Sequence, residues 1–484
     1  MAVFRSRVVP RWLQTAVVER LGVDPRGLAA LRVAVGTLLL VDLALRARQL
    51  RTFYTDVGVL PRAALHSTYP VLSRLSVYAL AGSPRSTAAL FVLAGLAAAA
   101  LAVGYRTRLA TVVSLVLLAS LHARNPLLLN GGDSVLRRLL LWGTLLPLGS
   151  CWSLDALRRE ATDDRPRRAP VVTVASAGLL LQVVAVYLVN GLFKLRSDAW
   201  TQGVALEYVF SLDQLTVLLG DALATRPVLL GVVEPVWLGL LFGSVGLVAL
   251  TGRRRTALVC AFAGAHLSMF LTMRLGVFPL ISLAALVPFL PPSVWDRVET
   301  TVDAPVTASA RPSGSDRFGS GRRSRRRGVV TAVALAALVF VVAWNAVTLG
   351  AVDVPSATVA DASEEYRWDM FASPRRTDGW FVAAGETAAG ERVDPLGDRP
   401  LTFDRPPDLA DAYPSHRWMR YLLNLRAPDN AELRPAFGDR LCRRWTRRHD
   451  AALEDVTVYF MAEPTDLDGS ESVRRERLHA QACP

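Results

Sequence analysis

Lys194 is the only lysine in the chain: the sequence holds 55 Lys+Arg, and the other 54 are arginines. A guanidinium keeps its proton in proteins, whereas an amine withdrawn from water releases its proton more readily. A chain that uses arginine wherever a cation will serve, and lysine once, therefore marks Lys194 as a candidate general base. It closes the apolar run 183–193, and an ionisable group at membrane depth is a functional candidate by default. The competing reading is an anchor, with its stem along lipid and its ammonium at the interface. Position alone leaves both open.

A few other side chains could join it. His266 lies within an apolar segment, either as a hydrogen-bonded core histidine or as a site residue. Asp133 follows Asn130-Gly131-Gly132; it reads as a helix cap after a glycine turn, or as a polar wall of the Lys194 site, or as a partner for Arg137. Asn125 and His122 stand just upstream and belong to the same candidate set. Asp198 and Glu207, in the loop after Lys194, read as solvated acids or as groups that orient the amine. Trp200 and Tyr208 in that loop suit the membrane interface. No Cys/His spacing resembles a metal site, and no serine-protease order or phosphate-binding glycine loop stands out.

The elements that must position these groups are long apolar helices. Hydrophobic residues make up 52% of the chain and the mean hydropathy is +0.30. Candidate spans fall at 27–46, 86–104, 109–124, 135–149, 171–193, 228–250, 257–273, 276–291 and 329–351. The expected fold is an all-α polytopic membrane bundle of about eight or nine transmembrane helices, followed by a small soluble α+β domain. Residues 1–291 form the polytopic part, 292–328 a basic disordered linker, 329–351 a final span and 352–484 the soluble domain. In that domain 380–382 and 456–460 read as strands, and 417–425 and 437–449 as short helices. Cys442 and Cys483 both lie there, where a disulfide is chemically permitted; spacing alone does not fix the pairing.

The net charge of +13 is gathered in alternate loops. Arg5, Arg7 and Arg11 precede the first span, Arg106 and Arg108 follow the second, Arg165, Arg167 and Arg168 follow the fourth, Arg253–Arg255 follow the sixth, and Arg322–Arg327 precede the last. This is the positive-inside pattern, so the sequence places the N-terminus in the cytoplasm and the C-terminal domain outside a cell membrane. The expected partner is the lipid bilayer; with no aromatic residues interleaved among the arginines, nucleic acid is not. The first 26 residues lack the apolar core and small-residue cleavage site of a signal peptide.

Asn190-Gly191-Leu192-Phe193-Lys194-Leu195, followed by Asp198-Ala199-Trp200 and Gly203, resembles the signature of the HTTM (horizontally transferred transmembrane) family, which includes vitamin K-dependent gamma-glutamyl carboxylases. Tyr54-Thr55-Asp56-Val57-Gly58-Val59-Leu60-Pro61, Asn125–Asp133, Trp152-Ser153-Leu154-Asp155, the His266 segment and Tyr366–Phe371 support the likeness. The resemblance implies that Lys194 is the base that deprotonates reduced vitamin K or menaquinone. Reaction of that cofactor with O2 then provides a base strong enough to remove a γ-proton from glutamate, and the carbanion adds CO2. It implies no metal, a cofactor side formed by Asn190, Gly191 and Trp200, and a peptide or protein substrate on the external face. Pro126 stands where the carboxylases carry a histidine, and a proline has no titratable group. A second reading is a non-enzymatic scaffold or maturation partner that binds a protein through the external domain.

Overall fold

The structure is a computed structural model that describes residues 10–160, 169–301, 320–352, 368–467 and 472–484. It is mostly helical, with one small antiparallel sheet near the C-terminus. The main helices are α1 (Pro25–Ala47), α2 (Pro84–Val103), α3 (Thr107–Arg124), α4 (Gly131–Leu145), α5 (Val174–Lys194), α6 (Pro227–Gly243), α7 (Gly252–Thr272), α8 (Phe278–Leu286), α9 (Pro292–Thr301) and α10 (Ser320–Thr348). Caps fix several starts: Asp24 accepts from the Arg26 amide, Ser83 from Ser86, and Thr173 and Ser176 form a reciprocal box. Close approach of α1 and α2 depends on Gly36, where a Cβ would stand 2.7 Å from the Ala102 backbone.

Among the described residues, six helices are long and apolar enough to cross a membrane, or seven if a bent pair counts as one span. The remaining expected spans are shorter helices or bend. Helix α4 has 15 residues and α6 has 17, with Pro235 inside it. The segment expected at 276–291 stops as an α-helix at Leu286, and α8 with its 3-10 extension meets α9 at 106°. The expected linker is helical at both ends, a correction with a clear cause. Trp295 is buried against Gly27, and Arg26 reaches Asp296 at 2.8 Å and Glu299 at 3.0 Å, which binds α9 to the foot of α1. The rest of the linker, 302–319, lies outside the described residues.

The C-terminal part contains β1 (Thr377–Thr387), β2 (Arg392–Asp394), β3 (Arg399–Pro400), α11 (His416–Arg426), α12 (Arg434–Thr446), β4 (Leu453–Pro464) and β5 (Arg474–Ala482). The strand order is β3-β2-β1-β4-β5, antiparallel throughout, with Phe381 opposite Phe460. Cys442 and Cys483 are bonded, joining α12 to the end of β5. This part packs onto the loops at the Lys194 end of the bundle. Phe53 meets Trp418 and Tyr421 in one apolar cluster. Arg440 donates to Val57 O, Asn424 to Leu127 O and Arg274 to Ala410 O. At this junction burial, together with neighbouring Arg420 and Arg417, pushes His416 down to about 3, while burial pushes Asp378 on β1 up to about 7.

Candidate functional site

Helix α5 carries one face that looks into the bundle: Gln182, Val183, Val186, Tyr187, Asn190 and Lys194, the one-three-one-three-four spacing of a helical stripe. This stripe forms one wall of a cavity of about 660 Å3. Helices α4, α6, α7 and α8 supply the other walls, and Trp368, Met370 and Phe371 cover the Lys194 end. The lining is mainly apolar, the composition expected of a site for a lipophilic molecule. Gly191, beside that stripe, packs α5 onto α6; a Cβ there would lie 3.2 Å from Phe242. Gly239, Gly243 and Gly264 line the cavity where α6 faces α7, and a Cβ at any of them would meet nothing within 4 Å.

Lys194 is 2% exposed. Its Nζ donates to Met370 O at 3.1 Å and to Phe371 O at 2.9 Å, and sits 3.8 Å from the centre of the Trp200 ring. Each carbonyl has a second donor: Asn190 Nδ2 to Met370 O at 3.0 Å and Trp200 Nε1 to Phe371 O at 2.7 Å. Phe371 takes a left-handed backbone, φ 55°, to aim its carbonyl this way. Strain of this kind persists only where the surroundings over-determine it. Two carbonyl acceptors and the face of the Trp200 ring surround Nζ, a set of contacts open to either protonation state of the amine. This is a buried amine, not an anchor reaching water.

His266 lines the same cavity. Its Nε2 is 2.8 Å from Tyr187 Oη, and its Nδ1 has no hydrogen-bond partner among the described residues. Lys194, Asn190, Trp200 and His266 thus surround one space. Glu234 and Asp369 are the carboxylates that act electrostatically on Lys194, and neither was singled out in the sequence. Glu234 is buried on α6; its Oε2 accepts from the Leu206 amide at 3.0 Å and its Oε1 has no partner among the described residues. A lone acid within the apolar run 227–243 was a signal that intramembrane ionisable groups deserve. The Met370 and Phe371 carbonyls carry no side-chain signature at all. Asp198 is exposed, and no contact joins it or Glu207 to the amine.

Asp133, His122 and Asn125 are not part of this space. Asp133 caps α4 in a reciprocal box with Asn130, and its ion partner is Arg46 at 2.6 Å, not Arg137. Arg46 also meets Asp42 at 2.6 Å and Tyr54 Oη at 2.9 Å, and Arg417 from α11 reaches Asp42. His122 Nε2 lies 3.2 Å from Asp133, and its Nδ1 is 2.7 Å from Arg137. Ligand atoms of Asp42, His122 and Asp133 fall within 4.8 Å of one another, but the Arg46 guanidinium bonded to both carboxylates already supplies the positive charge. The cluster joins α1, α3 and α4 to the C-terminal part. Asn125 Nδ2 holds Phe53 O at 3.0 Å and so fixes the loop that follows α1. Pro126 opens a 3-10 turn under α11 and lines no part of the cavity.

Six helices long and apolar enough to cross a membrane, two of which (α5 and α7) help to line the apolar cavity, point to a multi-pass membrane protein. The HTTM domain model matches residues 22–295, more than half of the 484-residue chain. The chain belongs to the HTTM family. No curated protein and no solved structure matches it.

Proposed function

We propose that the protein is a membrane enzyme in which Lys194 acts as general base on a lipophilic hydroquinone, in the manner of the vitamin K-dependent carboxylases. The observation that carries this reading is the Lys194 amine, sequestered at the end of an apolar cavity and held by two backbone carbonyls. The residues fit such a group: the apolar walls suit a ring with an isoprenoid tail, and Trp200 and Asn190 frame the amine end. When bound, a hydroquinone supplies an acidic hydroxyl and the reducing equivalents for O2. Lys194 Nζ takes the hydroxyl proton. Asn190 and Trp200 hold the covering carbonyls in place, so the amine keeps its position. The apolar lining excludes water from the amine, which keeps the base unsolvated. Carboxylation of a glutamate by CO2 follows the family likeness, with His266 as the cavity's own histidine in the absence of one at 126. No metal is assigned a role.

The arginine-rich loops support a cytoplasmic N-terminus, with Lys194 and the C-terminal α+β domain on the external face. The test is reconstitution with reduced menaquinone, O2 and CO2, followed by assay for quinone epoxide. Epoxide from wild type and none from a folded Lys194→Met supports the reading; wild type yielding no more than Lys194→Arg ends it.

A second reading, a scaffold that binds a protein partner, is favoured by one observation. Strand β5 is the outer strand of its sheet, and Arg474, Arg475 and Arg477 on it are exposed. Such an edge suits addition of an acidic peptide strand. If a Glu-rich peptide bound wild type and Arg474→Glu/Arg477→Glu equally, this edge would have no such role.

A further inference from the structure

Away from Lys194 the cavity follows α5 to Gln182, twelve residues earlier and therefore about 18 Å along the helix axis. Trp142 of α4 faces α5 at that level. A Cβ on Gly178, one turn from Gln182, would stand 2.3 Å from the Trp142 ring. Gln182 and Trp142 both line the cavity, at 5% and 0% exposure. Gln182 Oε1 and Trp142 Nε1 have no hydrogen-bond partner among the described residues. One is an acceptor and the other a donor, so each needs a complementary group. An end of a cavity built only to hold a hydrocarbon tail needs neither.

We propose that this far end is a second binding station, which takes a hydroxyl group of a long lipophilic ligand. Gln182 Oε1 accepts the hydroxyl proton, and Trp142 Nε1 donates to its oxygen. A hydroxyl satisfies both groups; a ketone satisfies only the indole, and a methyl terminus neither. The ligand class is thus a lipophile with an oxygen function at each end of an apolar body, one at the Lys194–Asn190 end and one at Gln182–Trp142. The station rests on the cavity alone and requires no turnover at Lys194.

The test uses the purified full chain in detergent, with dodecane-1,12-diol and 1-dodecanol as probes, titrated calorimetrically. The second hydroxyl should tighten diol binding to wild type about tenfold over dodecanol. Gln182→Leu and Trp142→Phe should each weaken the diol about three- to tenfold, and together bring the two probes to within about twofold of each other, a loss typical of removed hydrogen bonds. Dodecanol, free to place its single hydroxyl at Lys194, serves as the folding control, and the ratio between probes in wild type and variant removes most micelle partitioning. Equal affinity of both probes for wild type, as expected if ordered water pairs with both side chains, overturns the station. So does a diol preference that survives both substitutions. Absence of quinone epoxide with the diol preference intact would end the base reading and leave the station standing; epoxide without a diol preference would do the reverse.

Discussion

Replacing Lys194 with methionine separates a catalytic lysine from a structural latch. Methionine keeps the apolar stem and roughly the volume. The substitution removes two hydrogen bonds, to Met370 O and Phe371 O, each worth about 0.5–1.5 kcal/mol from a neutral amine and about 1.5–3 kcal/mol from a charged one. It leaves no buried carbonyl orphaned, because Asn190 still donates to Met370 O and Trp200 to Phe371 O. It also relieves the burial of an ionisable group, a gain that offsets losses of this size. The net change is therefore within about 2 kcal/mol in either direction. Asn190→Ala with Trp200→Phe in the wild-type background leaves Lys194 as the remaining donor to both carbonyls. Adding Lys194→Met to that pair orphans both, at about 1–3 kcal/mol each, so the triple variant should lose about 2–6 kcal/mol more than its parts sum to. The assay is thermal denaturation of the purified protein in detergent. If Lys194→Met alone destabilises as much as the triple variant, the lysine is the latch of the 368–371 segment, and the case for a conserved fold around a dispensable amine fails.

Four further outcomes follow from the geometry. Gly178→Ala forces a methyl to within 2.3 Å of the Trp142 ring and should destabilise by about 1–3 kcal/mol, measured by the same melt. Gly239→Leu and Gly264→Leu project into open space; melting temperature should hold or rise, since helix propensity improves by up to about 1 kcal/mol, while affinity for any cavity ligand falls. Reduction of Cys442–Cys483, separated by 41 residues, should destabilise the C-terminal part by about 4 kcal/mol on the loop-closure relation, seen as a lower midpoint in denaturant. Asp378 and His416 pull the pH profile in opposite directions. With a folded value raised to about 7, Asp378 contributes stability below its unfolded value that is lost as pH rises through about 7. With a folded value lowered to about 3, His416 contributes stability above its unfolded value that is lost as pH falls toward 3. Asp378→Asn should therefore make stability fall more steeply on acidification below about 6.5, and His416→Gln should make it fall as pH rises from about 4 to 7.

The groups that share the cavity were legible where the signal was local. Lys194, Asn190 and Trp200 lie within eleven residues, on one helix and the turn after it, and His266 sits alone in an apolar run. Asp133, His122 and Asn125 stand near the turn at 126–132, and of the readings open to Asp133 the structure shows the helix cap. Their partner is Arg46 or the Phe53 loop, and no local pattern announces a guanidinium from another helix. The two carbonyls over Lys194 come from residues 176 and 177 positions later in the chain, and backbone atoms leave no compositional trace. The strands around 380 and 458 and the helices from 416 and 434 lie where their short apolar runs and helical periodicity place them. The count of eight or nine spans is not reproduced among the described residues, where α4 and α6 are short and α8 bends into α9.

The base role of Lys194 is tested most directly by chemical rescue. Lys194→Ala, reconstituted with reduced menaquinone, O2 and CO2, should form no quinone epoxide; added primary amines small enough to fill the vacated space should restore it, with rates that rise with the basicity of the amine. Lys194→Ala forming epoxide as fast as wild type, with no response to any amine, would contradict the account.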